Sequence, residues 1–136
     1  MTPAPLYLLD TNICLHIPRW RPLPVLARFE ALKPGQAVIS TVTWGQLWSL
    51  AVNGRQPDSV FQSLKEFAGL VPVMPLPPAS KGLYVRIRTD LAGCGLTISP
   101  HNLWIAAHAL AAGLTLVTCD RREFEPVAGL KVESWV

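Results

Sequence analysis

No run of apolar residues in this chain approaches the ~20 needed to cross a bilayer, so a membrane protein is not expected. The opening Met-Thr-Pro-Ala-Pro lacks the basic segment of a secretory signal. Cysteine is scarce: Cys14, Cys94 and Cys119 are odd in number and form no CxxC pair. That argues against a disulfide framework or a cysteine-held zinc and makes a reducing cytoplasm the expected location. The histidines His16, His101 and His108 stand in no HxH or HxxxH spacing, which removes the common zinc pattern. A glycine-rich phosphate loop is missing too, because Gly93 and Gly95 precede a short apolar piece rather than opening a helix. Charge makes up only 15% of the residues, with 9 acids against 12 bases for a formal net charge of +3. A polyanionic partner is compatible with that balance but not required by it.

What the chain does have is apolar material. Of 136 residues, 50% are hydrophobic, and the mean hydropathy is +0.30. This suits one compact domain over residues 1–136 with a substantial core. Strand and helix signals alternate. Strands are predicted at Leu6–Leu9, Ala37–Ser40, Val71–Met74, Leu114–Thr118 and Leu130–Glu133, each a short apolar run bounded by turn residues. Helices are predicted around Val25–Leu32, Thr43–Asn53, from Pro57 with Val60 to Ala68 at three-to-four spacing, at Ala79–Ala92, and from Pro100 to Ala112. Ser99-Pro100 is a cap followed by proline at the first helical position. Such an order of βα units predicts an α/β fold, a three-layer α/β/α sandwich around a central parallel sheet.

In an open parallel sheet, ligands bind beyond the carboxyl ends of the strands. Asp10 follows the first strand and Asp120 lies just past the fourth, in Val117-Thr-Cys-Asp120. Gln46, in the helix after the second strand, and Asn102, in the first turn of the helix from Pro100, are placed to join them. An acid at a strand end also serves as a plain turn or cap residue, and spacing alone favours ordinary surface roles for the two amides.

The segments Tyr7-Leu-Leu-Asp-Thr-Asn-Ile13, Ile39-Ser-Thr-Val-Thr-Trp-Gly-Gln-Leu47, Gly95-Leu-Thr-Ile-Ser-Pro-His-Asn-Leu-Trp-Ile-Ala-Ala-His-Ala109 and Leu116-Val-Thr-Cys-Asp-Arg-Arg-Glu-Phe124 resemble the motifs of PIN-domain proteins. The VapC-type toxins of bacterial toxin–antitoxin pairs are the subgroup most like it, and the closing Val127-Ala-Gly-Leu-Lys-Val-Glu-Ser-Trp135 is similar too. The resemblance implies a metal-dependent endoribonuclease using Mg²⁺ or Mn²⁺, an RNA substrate with tRNA as the one to test, a VapB-like antitoxin and a homodimer. It also implies the site. Asp10 and Asp120 match the first and last acids of the family's cluster, whereas Gln46 and Asn102 stand where the family usually has Glu and Asp. Thr11, Asn12 and Thr118 match the small polar residues flanking the acids. On this reading Asp10, Asn102 and Asp120 are the metal-holding positions, and Arg86, Arg88, Arg121 and Arg122 are candidates for RNA phosphates, with Arg19 and Arg21 in the first loop beside them.

Hard divalent cations want anionic oxygen, so replacing two acids with amides of the same shape keeps the fold and weakens the metal site. Reduced activity is therefore expected. A non-catalytic module that binds RNA or an antitoxin is the alternative, which the two amides favour. A haloacid-dehalogenase-type phosphotransferase is more remote, because it needs an Asp where this chain has Asn12. His108 is expected to be a hydrogen-bonded core histidine, and Trp44, Trp48 and Trp104 to serve in packing.

Overall fold

The computed structural model describes residues 4–16, 23–54 and 57–135. Five parallel strands form one sheet in the order β3-β2-β1-β4-β5. They are β1 (Tyr7–Leu9), β2 (Ala37–Ser40), β3 (Val73–Met74), β4 (Thr115–Val117) and β5 (Val132–Glu133). The register pairs Leu8 with Val38 on one side and with Leu116 on the other. Seven helices connect them among the described residues: α1 (Thr11–His16), α2 (Leu23–Glu30), α3 (Thr41–Val52), α4 (Pro57–Leu70), α5 (Ser80–Gly93), α6 (Pro100–Ala112) and α7 (Arg121–Phe124). None is long and apolar enough to cross a membrane.

Strand alternation divides the core. Leu9, Ile39 and Val117 face the layer of α1, α3 and α4, where they pack with Ile13, Leu47 and Phe67. Leu8, Val38 and Leu116 point the other way, into the layer of α5, α6 and α7, against Ile87, Ile105 and Phe124. Each such aliphatic side chain contributes about 1.5–3 kcal/mol when fully buried. Helix α6 is apolar nearly all round, as a helix pressed between the sheet and α5 must be. It starts where Ser99 Oγ accepts the Asn102 N–H at 3.3 Å, with Pro100 at the first position, and ends at Gly113, whose φ of 68° suits glycine.

The sandwich predicted from sequence is therefore present, with shifted edges. Helix α3 begins at Thr41 rather than Thr43, because Ser40 Oγ accepts the Val42 N–H and caps it. The third strand starts at Val73, since the Val71 N–H still donates to Phe67 O and closes α4. Two short helices, α1 and α7, were not expected. The Pro18–Pro22 segment, with Arg19 and Arg21, lies outside the described residues.

Strand order fixes where a ligand belongs. The chain builds β1, β2 and β3 outward in one direction, then returns to place β4 on the other side of β1. The crevice at the carboxyl ends of β1 and β4 is the switch point of the sheet. Asp10 and Asp120 flank it.

Candidate functional site

Asp10 is held by its backbone before its side chain does anything. Its N–H donates to Val117 O at 2.8 Å, extending the β1–β4 ladder by one residue. The side chain, 4% exposed, accepts from the Thr11 N–H at Oδ1 (2.8 Å) and from the Thr118 hydroxyl at Oδ2 (2.9 Å). Thr118 Oγ1 in turn accepts the Asp120 N–H at 3.2 Å. Asn12 clamps the same loop from α1, its Oδ1 accepting the Cys119 N–H at 3.1 Å and its Nδ2 donating to Thr118 Oγ1 at 3.4 Å. These bonds tie the ends of β1 and β4 into one rigid frame. Asn12 is engaged in this clamp, and its amide has no ionisable proton to give as the acid a dehalogenase-type mechanism would need.

Helix α6 brings its first turn over the frame. His101 Nε2 lies 3.0 Å from Thr11 Oγ1 as a hydrogen bond. Asn102 Nδ2 donates to a carboxylate oxygen of Glu123 on α7. Burial pushes the Asp10 carboxyl above the usual carboxylate range. The bonds from Thr118 and Thr11 and the nearby His101 pull it back, and the negative charge of Glu123 adds to the rise. Cys14 and Cys119, both close enough to feel Asp10, have their thiols pushed up chiefly by burial, Cys14 strongly so. Neither is poised as a thiolate nucleophile.

The sequence-derived residues divide accordingly. Asp10, Thr11, Asn12 and Thr118 are joined in one hydrogen-bonded group with His101, and Asn102 pairs separately with Glu123 beside it. Asp120 enters it by its backbone and leaves its carboxylate exposed at the rim. Gln46 is exposed on α3 and hydrogen-bonds to none of them. Arg121 and Arg122 are exposed on α7, beside Glu123, while Arg86 and Arg88 are exposed on α5. Trp44 and Trp48 pack edge to face, Trp48 stacks on Phe61, and Trp104 stacks on Tyr84 at 4.2 Å, so these rings serve the packing expected of them. His108 is buried and bonded to Ser40 Oγ at 2.8 Å, as expected of a core histidine.

Glu123 is the residue the sequence reading missed. Its signal was the Arg-Arg-Glu-Phe124 piece, in which the fully buried Phe124 anchors α7 and sets the preceding Glu toward α6. As a cation site the group is sparse: among the described residues no three His, Cys, Asp or Glu side chains converge as a cage. The donors offered are the Asp10 and Glu123 carboxylates and the Asn102 amide oxygen, with Asp120 at the rim. That set fits one hydrated divalent ion, since Mg²⁺ is commonly held by one or two carboxylates and several waters. It does not fit two ions.

The sequence matches the PIN domain family over residues 7–130. Ribonuclease VapC2 of Haemophilus influenzae is 32% identical over 130 residues, covering 96% of this chain and 98% of that protein. The tRNA(fMet)-specific endonuclease VapC of Shigella flexneri is 35% identical over 129 residues, covering 95% and 97%. Among solved structures, that of VapBC2 from Rickettsia felis bound to a DNA fragment from their promoter superposes with a TM-score of 0.90 at 27% identity, covering 96% of this chain and 99% of the other.

Proposed function

This chain belongs to the PIN-domain family, and from that premise we propose that it is the toxin ribonuclease of a toxin–antitoxin pair. The reading takes residues 1–136 as a single PIN-like domain, a hydrolase that cuts RNA phosphodiesters with water. The observation that carries it is the Asp10–Thr118–Asp120 frame at the switch point, with Asn102 and Glu123 brought over it by α6 and α7. Relatives at about a third identity over nearly their whole length are named ribonucleases, one of them specific for tRNA(fMet), so tRNA is the substrate class to try first. A structural neighbour named VapBC contains the antitoxin as well as the toxin, which supports a VapB-like partner here. A homodimer and a cytoplasmic site of action complete the reading, the latter suited to three free thiols.

When bound, Mg²⁺ or Mn²⁺ would lower the pKa of a water and offset charge on the phosphoryl oxygens. Asp10, Glu123, the Asn102 amide oxygen and Asp120 would hold it. Thr118 and the Thr11 amide fix the Asp10 carboxylate in one orientation, so little reorganisation is needed on ion binding. Arg121 and Arg122 meet the phosphates on either side of the cut, a contact that salt weakens. Gln46, exposed on α3, is the motif position at which the family usually has Glu.

With amides at 46 and 102 the cation is held weakly and cleavage is slow. The test is cleavage of a total tRNA pool with Mn²⁺ by this chain and by Gln46→Glu/Asn102→Asp. Cleavage confined to, or much faster in, the double variant supports the reading. If neither form cuts, the chain is a PIN-like module that binds RNA or antitoxin without chemistry. The observation favouring that second reading is the Asn102–Glu123 bond, which satisfies Glu123 without any cation.

A further inference from the structure

A cavity of about 400 Å³ lies between the end of α5 and the start of α6, and the hydrolysis described above makes no use of it. Tyr84, Arg88 and Leu91 line it from α5, Pro100 and Leu103 from α6, and Thr97 from the connection between them. Leu91 and Leu103 are buried, whereas Arg88 and Thr97 are exposed. Leu96, another lining residue, is 45% exposed. An apolar interior with a few polar groups at the mouth is the usual make-up of a small-molecule site. The ring of Tyr84 is already stacked on Trp104, so it is fixed in place before any ligand arrives.

Position selects the ligand. Four consecutive residues of the first turn of α6 serve both places: Pro100 and Leu103 line the cavity, while His101 and Asn102 bond toward Thr11 and Glu123. At 3.6 residues per turn the two pairs lie on opposite sides of the helix, whose diameter with side chains is about 10–12 Å. Because α6 leads into the parallel strand β4 through Gly113, its first turn sits at the carboxyl ends of the strands, the end where Asp10 lies. Arg88 has no ion-pair partner among the described residues, so its guanidinium is open to a phosphate.

We propose that this cavity receives a base of the RNA strand next to the cut nucleotide, with Arg88 on its phosphate, and so selects where the strand is cut. The inference rests on the ribonuclease reading for its ligand. The base is taken up between Tyr84 and the apolar side chains, and Thr97 offers a hydroxyl to its edge.

The test uses the full chain labelled with ¹⁵N, in chelator, titrated with AMP, GMP, CMP and UMP. Saturable shifts of the Arg88 and Leu96–Ile98 amides are expected, one nucleotide binding more tightly than the rest. Arg88→Ala, an exposed position, should weaken that binding at least about fivefold, as loss of a charge-assisted contact does. In the Gln46→Glu/Asn102→Asp form with Mn²⁺, the same replacement should raise KM more than it lowers kcat and change the distribution of cut positions. Three results overturn the proposal: no shift with any nucleotide, shifts confined to the Asp10 and Thr118 segments, or shifts of the cavity amides on dilution of the protein alone, which would mean a second copy covers the cavity. Nucleotide binding without RNA cleavage by either form would retire the nuclease reading and, with it, the role of this cavity in choosing the cut. Cleavage without nucleotide binding would retire only this inference.

Discussion

Two buried hydroxyls stand at equivalent places in the sheet and do different work. Ser40, at the end of β2, bonds to the His108 imidazole at 2.8 Å, and both are sealed in the core. Thr118, just past β4, bonds to the Asp10 carboxylate at 2.9 Å, and both are equally buried. The Ser40 pair is closed: a neutral ring and a hydroxyl satisfy each other, and Ser40 also caps α3. The Thr118 pair is open. Thr118 Oγ1 also accepts the Asp120 N–H, which leads to an exposed carboxylate, and burial first, with a contribution from Glu123, raises the Asp10 pKa. Burial of a polar group is therefore no sign of function by itself.

The sharpest way to break this contrast is to mutate both sides and read two quantities. In the Gln46→Glu/Asn102→Asp background, Asp10→Asn should lower the rate of tRNA cleavage by at least about 10³-fold, the equivalent of about 4 kcal/mol, while the fold persists. Ser40→Ala should do the reverse. It leaves a buried ring nitrogen unsatisfied, a loss of about 1–3 kcal/mol, to which the missing cap adds about 1 kcal/mol. The cleavage rate of its folded fraction should match that of the parent. Denaturant titrations and single-turnover rates check both, and a Ser40→Ala enzyme that is stable but inactive would dissolve the distinction.

The sequence made one side of this comparison legible and half hid the other. Apolar runs such as Leu6–Leu9 and Leu114–Thr118 announce the sheet, and Ser99-Pro100 announces α6, because capping and alternation are local signals. Asp10 and Asp120 could be placed beyond the carboxyl ends of strands because each follows an apolar run, while the switch point itself needed the strand order of the structure. Helix α7 could not be seen, since four residues are too few to show an amphipathic period. Glu123 was lost with it. Helix α3 was read two residues short because Thr41 and Val42 are β-branched and weaken the helix signal at its start. Gln46 illustrates the opposite limit: a motif position fixes which helix carries a side chain, but not whether that side chain reaches the cluster, and here it hydrogen-bonds to none of it.

A smaller effect sharpens the open side further. Gln46→Glu/Asn102→Asp replaces the Asn102–Glu123 bond with facing carboxylates. In chelator the melting temperature should fall by a few degrees, where roughly 3–5 °C corresponds to each kcal/mol in a chain of this length. Mn²⁺ should restore it through preferential binding to the folded state. The same pair of measurements on the parent should show little response to Mn²⁺. Equal melting temperatures for parent and variant in both buffers would mean that positions 46 and 102 do not share a pocket with Asp10.

The smallest effect is a pH dependence of opposite sign on the two sides, with a ceiling of about 1.4 kcal/mol per pH unit for one proton. Asp10 has its folded pKa raised above the unfolded 3.8, so its stabilising contribution is present below that value and is lost as pH rises through the folded pKa. Asp10→Asn should then be more stable than the parent at neutral pH in chelator, and the difference should shrink toward pH 4. Burial lowers the folded pKa of His108 below 6.5, so its contribution is present above 6.5 and is lost as pH falls toward the folded value. His108→Gln should flatten the stability profile between pH 7 and 5 and leave the acid limb due to Asp10 in place. Slopes of the same sign for both residues, or a His108→Gln profile parallel to the parent's, would mean that the ring is not held neutral by its seal with Ser40, and the closed pair would have to be counted with the open one.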